Sequence, residues 1–348
     1  MTTEWRFIKS FADHLHRCGL VEGEKVAVLS ESQSRPVLVE TARLAAQSLG
    51  GRVFDVVVPT PPSAHAVPIR STGASQAIAG HPAVIAGLAA SDLVVDCTVE
   101  GLLHSPELGQ ILGGGARVLM ISNEHPEVLE RIGWDDDLPR RVELGYQWIA
   151  AAREMRVTST AGTLLTVQLA GAAAAGSTGL TDGPGSIAHW PGGLVAAFPA
   201  AHSVEGTIVL APGDMNLTFN TLVQSPVTLH IVDDHVETID GDGVDAILFR
   251  SYLSAFGDRE SYATSHVGWG MNPFARWDSS QLYDKRETWG TEARVYAGNF
   301  VYSTGANELA GRFTAGHFDL PMRNCTITLD GRVVVDEGVL TPELLPRA

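Results

Sequence analysis

The chain has 348 residues, 45% hydrophobic and 18% charged, and its 24 Lys and Arg against 40 Asp and Glu give a net charge of -16. Such a composition belongs to a globular protein with a sizeable core, in one large domain or two ordinary ones, and excludes intrinsic disorder. A balance this acidic leaves no electrostatic footprint for nucleic acid or an anionic membrane.

Along the chain, an amphipathic helix near the N-terminus carries His14 and His16, which are expected to face solvent. Residues 25–30 read as a buried strand, and 36–49, opened by Pro36 and closed by Gly50-Gly51, as a helix. A strand at 53–58, a helix at 82–90, a strand at 93–96, a short helix at 106–112, a strand at 117–122 and a helix at 126–132 follow. This alternation predicts a parallel sheet covered on both faces, a Rossmann-like α/β domain over 1–155. No Gly-x-Gly-x-x-Gly follows the first strand and no P-loop is present, so nucleotide binding is not supported.

From 156 the pattern changes to strands and turns: 157–167, 194–198, 207–210, and a hairpin over 227–240 turned near Asp233-Asp234. A helix over 244–256 and a hairpin over 326–335 turned at Asp330-Gly331 complete it. The expectation is a β-rich α+β domain over 156–348 that carries the chemistry, making the fold class α/β plus α+β. No apolar run of about 18 residues predicts a membrane helix, and the charged start does not read as a signal peptide. Cys18, Cys97 and Cys325 are scattered and form no Cys-x-x-Cys pair. That usage suits a reducing cytoplasm.

Two segments stand out. In Thr314-Ala-Gly-His-Phe-Asp-Leu-Pro321, an extended backbone would put His317 and Asp319 on one face with Phe318 behind them. The pair could supply two ligands of a facial iron site, but a His-x-Asp by itself is weak evidence and reads more often as an exposed polar pair on an edge strand. Ser265-His-Val-Gly-Trp-Gly-Met-Asn-Pro273 reads as a shaped loop because of its Gly-x-Gly and Asn-Pro signals. His266 there is either a third ligand or hydrogen-bonded within its own loop.

These two segments resemble the signatures of 2,5-dihydroxypyridine 5,6-dioxygenases. Further matches in the same order are Asp92-Leu-Val-Val-Asp96, Leu102-Leu-His-Ser-Pro-Glu107, His189-Trp-Pro191, Glu205-Gly-Thr207, Gly298-Asn-Phe300 and Ser303-Thr-Gly305. The resemblance implies a single Fe(II) held by His266, His317 and Asp319, a small aromatic substrate and O2. It also implies ring opening of 2,5-dihydroxypyridine between C5 and C6 to N-formylmaleamic acid. The family is in turn similar to the aminopeptidase T metallopeptidases, which carry a Glu at the position of His266 and a further His ligand near Gly298-Asn299-Phe300. This chain has neither, which favours one iron over a two-metal peptidase centre.

Beside these ligands, His104 lies on the loop after the 93–96 strand, at the carboxyl end of the parallel sheet where ligands bind. It is the acid/base candidate, against a helix-start histidine without chemistry. His189 and Trp190 fit a ring-binding wall or a packed strand start. Ser303 fits a donor to substrate or a turn hydroxyl. Tyr252 and Tyr262 flank the approach to His266, and Tyr252 also suits a core position. Glu205 is expected to be a supporting or structural carboxylate rather than a ligand. The site is expected where the second domain faces the first or a neighbouring subunit of a homo-oligomer. The competing readings are a zinc or cobalt metallopeptidase-like hydrolase and a non-catalytic small-molecule binding module.

Overall fold

The computed structural model describes residues 3–67, 75–284 and 287–347. The expected alternation builds a five-stranded parallel sheet in the order Arg52–Val58, Lys25–Glu31, Leu93–Asp96, Arg117–Met120, Ile187–His189. Its central strands are buried on both faces, which is why they read as continuous runs of Val, Leu and Ala. The helices Trp5–Arg17, Pro36–Ser48 and Pro126–Ile132 cover one face through Phe11, Leu15, Leu38, Ala42 and Leu129. Pro82–Ala89 and Leu108–Gly113 cover the other through Leu88, Leu108 and Ile111. Several of these helices start on a proline, whose fixed φ and missing N–H suit the first turn.

His14 corrects the first expectation. It lies on the same helical face as Phe7, Phe11 and Leu15 and is buried with them. Its Nε2–H donates to the Gly179 carbonyl at 2.8 Å, and its ring stacks on Trp190 with centroids 3.9 Å apart. Burial pushes its pKa down to about 3.

The rest of the chain is antiparallel. An eight-stranded sheet runs from His235–Asp240 through Val227–Val232, Val204–Leu210, Leu164–Gln168, Glu154–Ser159, Cys325–Leu329 and Arg332–Asp336 to Val339–Leu340. A second, five-stranded sheet has the order Arg312–Met322, Phe300–Asn307, Thr264–Gly270, Leu194–Phe198, Ala173–Ser177. One core joins the two, with Phe249, Trp269 and Phe318 among its large members. Both foreseen hairpins are present. Asp330 and Gly331 take φ of 48° and 84°, the left-handed pair that a tight two-residue turn needs. Helix Leu138–Ala151 was not foreseen and packs on Ala173–Ser177 and Leu194–Phe198.

Ile187–His189 belongs to the parallel sheet although it follows three strands of the antiparallel sheets, Glu154–Ser159, Leu164–Gln168 and Ala173–Ser177. A division at 155/156 therefore leaves the fifth parallel strand with the second part. The Gly-rich segment 265–273 is also not a loop over most of its length: Thr264–Gly270 is a strand with every residue buried. Gly268 permits this, since a Cβ there would sit 2.0 Å from the Val195 carbonyl oxygen of the neighbouring strand. No described helix is long and apolar enough to cross a membrane.

Candidate metal centre and substrate cavity

Three neighbouring strands deliver the polar groups in a row. On Arg312–Met322, His317 and Asp319 share a face, while Phe318 turns into the core against Phe249 and Tyr252. Ser303 pairs directly opposite Asp319 and Gly305 opposite His317. Gly305 has φ of 102°, and a Cβ there would lie 1.9 Å from the Gly316 carbonyl oxygen, so only glycine lets the strands close at His317. His266 comes from the third strand, inside a register irregularity between Thr264 and Val267 that re-aims side chains.

The Ser303 hydroxyl donates to Asp319 Oδ1 and lies 3.0 Å from His266 Nε2. Asp319 Oδ1 is 3.2 Å from His317 Nε2 and 3.7 Å from His266 Nε2. Ser265 commits its hydroxyl hydrogen to the Ala306 carbonyl, so towards His266 Nδ1, 3.3 Å away, it can only accept. Ser303, whose hydrogen goes to Asp319, can likewise only accept from Nε2, so the two serines alone do not choose the tautomer, and a cation at Nε2 would fix Nδ1–H.

His104 arrives from the parallel sheet. After Leu93–Asp96 the chain folds back on the Asp96 carboxylate, which accepts from the backbone of Thr98 and Leu102 at 3.0 and 2.8 Å. The His104 ring then lies 4.4 Å from that of His317, centroid to centroid, and the His266 ring stacks on His317 at 5.3 Å. Nitrogens of the three buried imidazoles lie within 4.8 Å of one another. His104 Nδ1 donates to Glu308 Oε2 at 2.9 Å.

Arg294 is a residue that sequence reasoning missed. It sits in the turn Thr291–Arg294, with Nε 2.5 Å from Asp319 Oδ2. Asn299 fixes this turn: its Nδ2 donates to the Ala293 and Arg294 carbonyls at 2.8 and 3.0 Å, while its Oδ1 accepts from Gly270 N. One amide thus ties the guanidinium to the strand that carries His266. No spacing pattern in the chain points to Arg294.

Burial alone would push the Asp319 carboxyl up, but the Arg294 guanidinium, with a hydrogen bond from His317, outweighs it and holds it well below the usual carboxylate range. Burial drives His266 down to about 3 and His189 to about 4, and lowers His317 as well. The centre therefore combines neutral imidazoles with an anionic carboxylate, the donor set for a divalent cation. His104 Nε2, His189 Nε2 and His317 Nδ1 are buried with no hydrogen-bond partner among the described residues. Buried polar atoms are rarely left so, and an ion and a polar substrate would satisfy them.

A cavity of about 160 Å³ opens from this cluster, walled by Leu103, Ile187, Leu194, Ala196 and Phe198, with His189, His266, His317, Asp319 and Arg294 at its polar side. An apolar cavity of roughly 150 Å³ accommodates benzene. The space thus suits a single six-membered ring.

Not every candidate residue is here. Trp190 turns away from the cavity, as strand alternation requires beside His189, and packs on Phe11 and His14. Tyr252 is buried in the core against Phe219, Phe256 and Phe318. Tyr262 borders a separate surface groove. Glu205 is exposed and accepts from Asp233 N at 2.8 Å, a hairpin contact away from the centre. His189 and Ser303 are the substrate-contact candidates that the fold brings to the site.

A family model described as 2,5-dihydroxypyridine 5,6-dioxygenase matches residues 6–342. The chain belongs to the 2,5-dihydroxypyridine 5,6-dioxygenase family. It is 39% identical over 327 residues to the 2,5-dihydroxypyridine 5,6-dioxygenase of Pseudomonas putida KT2440, covering 92% of each chain. The solved structure of 2,5-dihydroxypyridine dioxygenase from that organism aligns with a TM-score of 0.90 and 37% identity, over 97% of this chain and 98% of that one. Wild-type AmpT from Thermus thermophilus aligns over 97% and 99% with a TM-score of 0.64 at 13% identity, a likeness of fold. The dioxygenase family and AmpT thus share one architecture, the relationship that the motifs had implied.

Proposed function

We propose that this chain is a mononuclear Fe(II) dioxygenase of extradiol type that opens 2,5-dihydroxypyridine between C5 and C6 with O2, giving N-formylmaleamic acid. The observation that carries the reading is one convergence. The His266 and His317 imidazoles meet Asp319 Oδ1, the other carboxylate oxygen being taken by Arg294, at the polar side of a ring-sized cavity.

His266, His317 and Asp319 would hold the ion, a set that leaves coordination positions for substrate and O2. Bound there, Fe(II) would supply electrons to O2 and an anchor for the substrate's 5-oxygen. The remaining work belongs to the chain's own residues. His104 Nε2 takes the proton of the substrate hydroxyl and later returns it to a developing oxyanion. His189 donates from Nδ1 to the Pro191 carbonyl at 3.3 Å, so its Nε2 is an acceptor for a ring N–H or hydroxyl. Ser303, by donating to Asp319 Oδ1, holds that carboxylate in place, and its oxygen can still accept from a substrate N–H or hydroxyl. Leu103, Ile187, Leu194 and Phe198 hold the ring faces and exclude water.

A second reading has one specific observation behind it: the mutual approach of the His104, His266 and His317 nitrogens fits a three-histidine ligand set. Oxygen uptake on a panel of hydroxypyridines, with metal content measured on His104→Ala, tests both. Iron retained with the rate lost supports the first. Iron lost moves His104 into the ligand set, and no oxygen uptake on any hydroxypyridine sinks the dioxygenase reading.

A further inference from the structure

Glu308 has no role in the mechanism above, yet it makes the one hydrogen bond to the His104 ring found among the described residues. It stands on the short turn Glu308–Ala310, directly after the strand Phe300–Asn307. Asn307 pins that turn, accepting from Ala310 N at 3.1 Å and donating to the Ser265 carbonyl at 3.0 Å and the Pro199 carbonyl at 3.1 Å. The carboxylate is therefore held by the same backbone that places His266. It reaches across to a histidine 204 positions earlier, on a loop of the other sheet. The His104 side chain is 1% exposed and that of Glu308 30%, so the pair runs from the interior to the solvent edge.

We propose that Glu308 is the positioning residue for His104. Resting on the reading of His104 as the base, the inference assigns to Glu308 the choice of tautomer. A neutral imidazole carries one hydrogen, and a base must present its lone pair to the substrate. The Glu308 carboxylate is an obligate acceptor, so it keeps that hydrogen on Nδ1 and leaves Nε2, which has no partner among the described residues, as the acceptor. When Nε2 gains the substrate proton, the carboxylate faces the positive ring, the service an aspartate gives histidine in a serine-protease triad. The two halves of the site are thereby matched: the sheet that supplies the ligands also sets the protonation pattern of a side chain supplied by the other sheet.

The test compares the parent, Glu308→Ala and Glu308→Gln as full-length chains labelled with ¹⁵N-histidine. Nitrogen shifts of His104, assigned by their loss in His104→Ala, read the tautomer in the metal-free protein. The parent should hold Nδ1–H, and Glu308→Ala should lose that preference. With Fe(II) and 2,5-dihydroxypyridine, Glu308→Ala should keep its iron and KM while kcat falls about 10–100-fold. Added formate should restore part of that rate, because the vacated position is reachable from solvent. Glu308→Gln keeps the shape should the alanine variant unfold, and its lowered rate should not respond to formate. An unchanged tautomer and rate in Glu308→Ala would overturn the proposal. So would a loss repaired by excess Fe(II), which would make Glu308 a metal-affinity residue. If His104→Ala proves as fast as the parent, the base reading falls, while the tautomer measurement still decides the role of Glu308.

Discussion

Arg294 Nε stands 2.5 Å from Asp319 Oδ2, and this ion pair leaves Oδ1 as the oxygen that faces His266 and His317. The carboxylate is oriented before any ion arrives. Arg294→Gln should therefore weaken metal binding by about 10–100-fold while the ligands themselves are untouched. Titration of the metal-free protein with Fe(II) measures it, and an unchanged affinity would reduce Arg294 to a charge partner without an orienting role.

Removal of the proposed ligands should separate them from the base. His266→Ala, His317→Ala and Asp319→Ala should each lose iron and activity yet show the circular dichroism of a folded protein. His104→Ala should keep iron and lose roughly 10²–10⁴-fold in kcat, the span usual for a general acid/base. Full iron occupancy in His266→Ala would remove that residue from the ligand set.

Metal exchange tests the redox requirement. Two imidazoles and a carboxylate bind Zn(II) as well as Fe(II), but only iron can pass electrons to O2. Anaerobic reconstitution with Fe(II) should restore oxygen uptake, and Zn(II) should occupy the site without turnover. Equal turnover with zinc would point back to a hydrolase.

His14 should govern part of the acid stability. Its folded pKa of about 3 lies below the ordinary value of 6.5, so between those pH values the unfolded chain binds a proton that the folded chain refuses. Its contribution is complete above pH 6.5 and is lost as pH falls, by about 1.4 kcal/mol per unit. His14→Gln retains a donor for the Gly179 carbonyl and removes the titration. Urea unfolding at pH 7 and pH 5 should show the parent losing about 2 kcal/mol more than the variant over that interval. Equal losses would refute the assignment.

The parallel half was largely legible in the sequence because burial on both faces writes long apolar runs, and prolines mark the helix starts. His317 and Asp319 could be paired because a two-residue period is local. What escaped was set by tertiary contact. Gly268 and Gly270 look like loop signals but serve a close backbone approach, by the strand Leu194–Phe198 at Gly268 and by Val295 and Tyr296 at Gly270. His14 looks polar on a helix whose apolar face it shares. Trp190 and Tyr252 carry rings suited to a pocket but spend them in the two cores. Arg294 touches Asp319 from 25 positions away and Glu308 touches His104 from 204, distances at which no spacing rule operates.

Strand Ile187–His189 completes the parallel sheet from beyond the first antiparallel hairpin, and it ends on a residue of the cavity wall. The two halves are therefore interleaved and cannot be exchanged as modules. A fragment stopping at 155 would present the Arg117–Met120 strand as an open edge, a row of unsatisfied backbone donors and acceptors that invites pairing with other chains. Recombination between relatives would keep the sheet and the pocket intact only if its crossover points fell outside the stretch from Arg117 to His189.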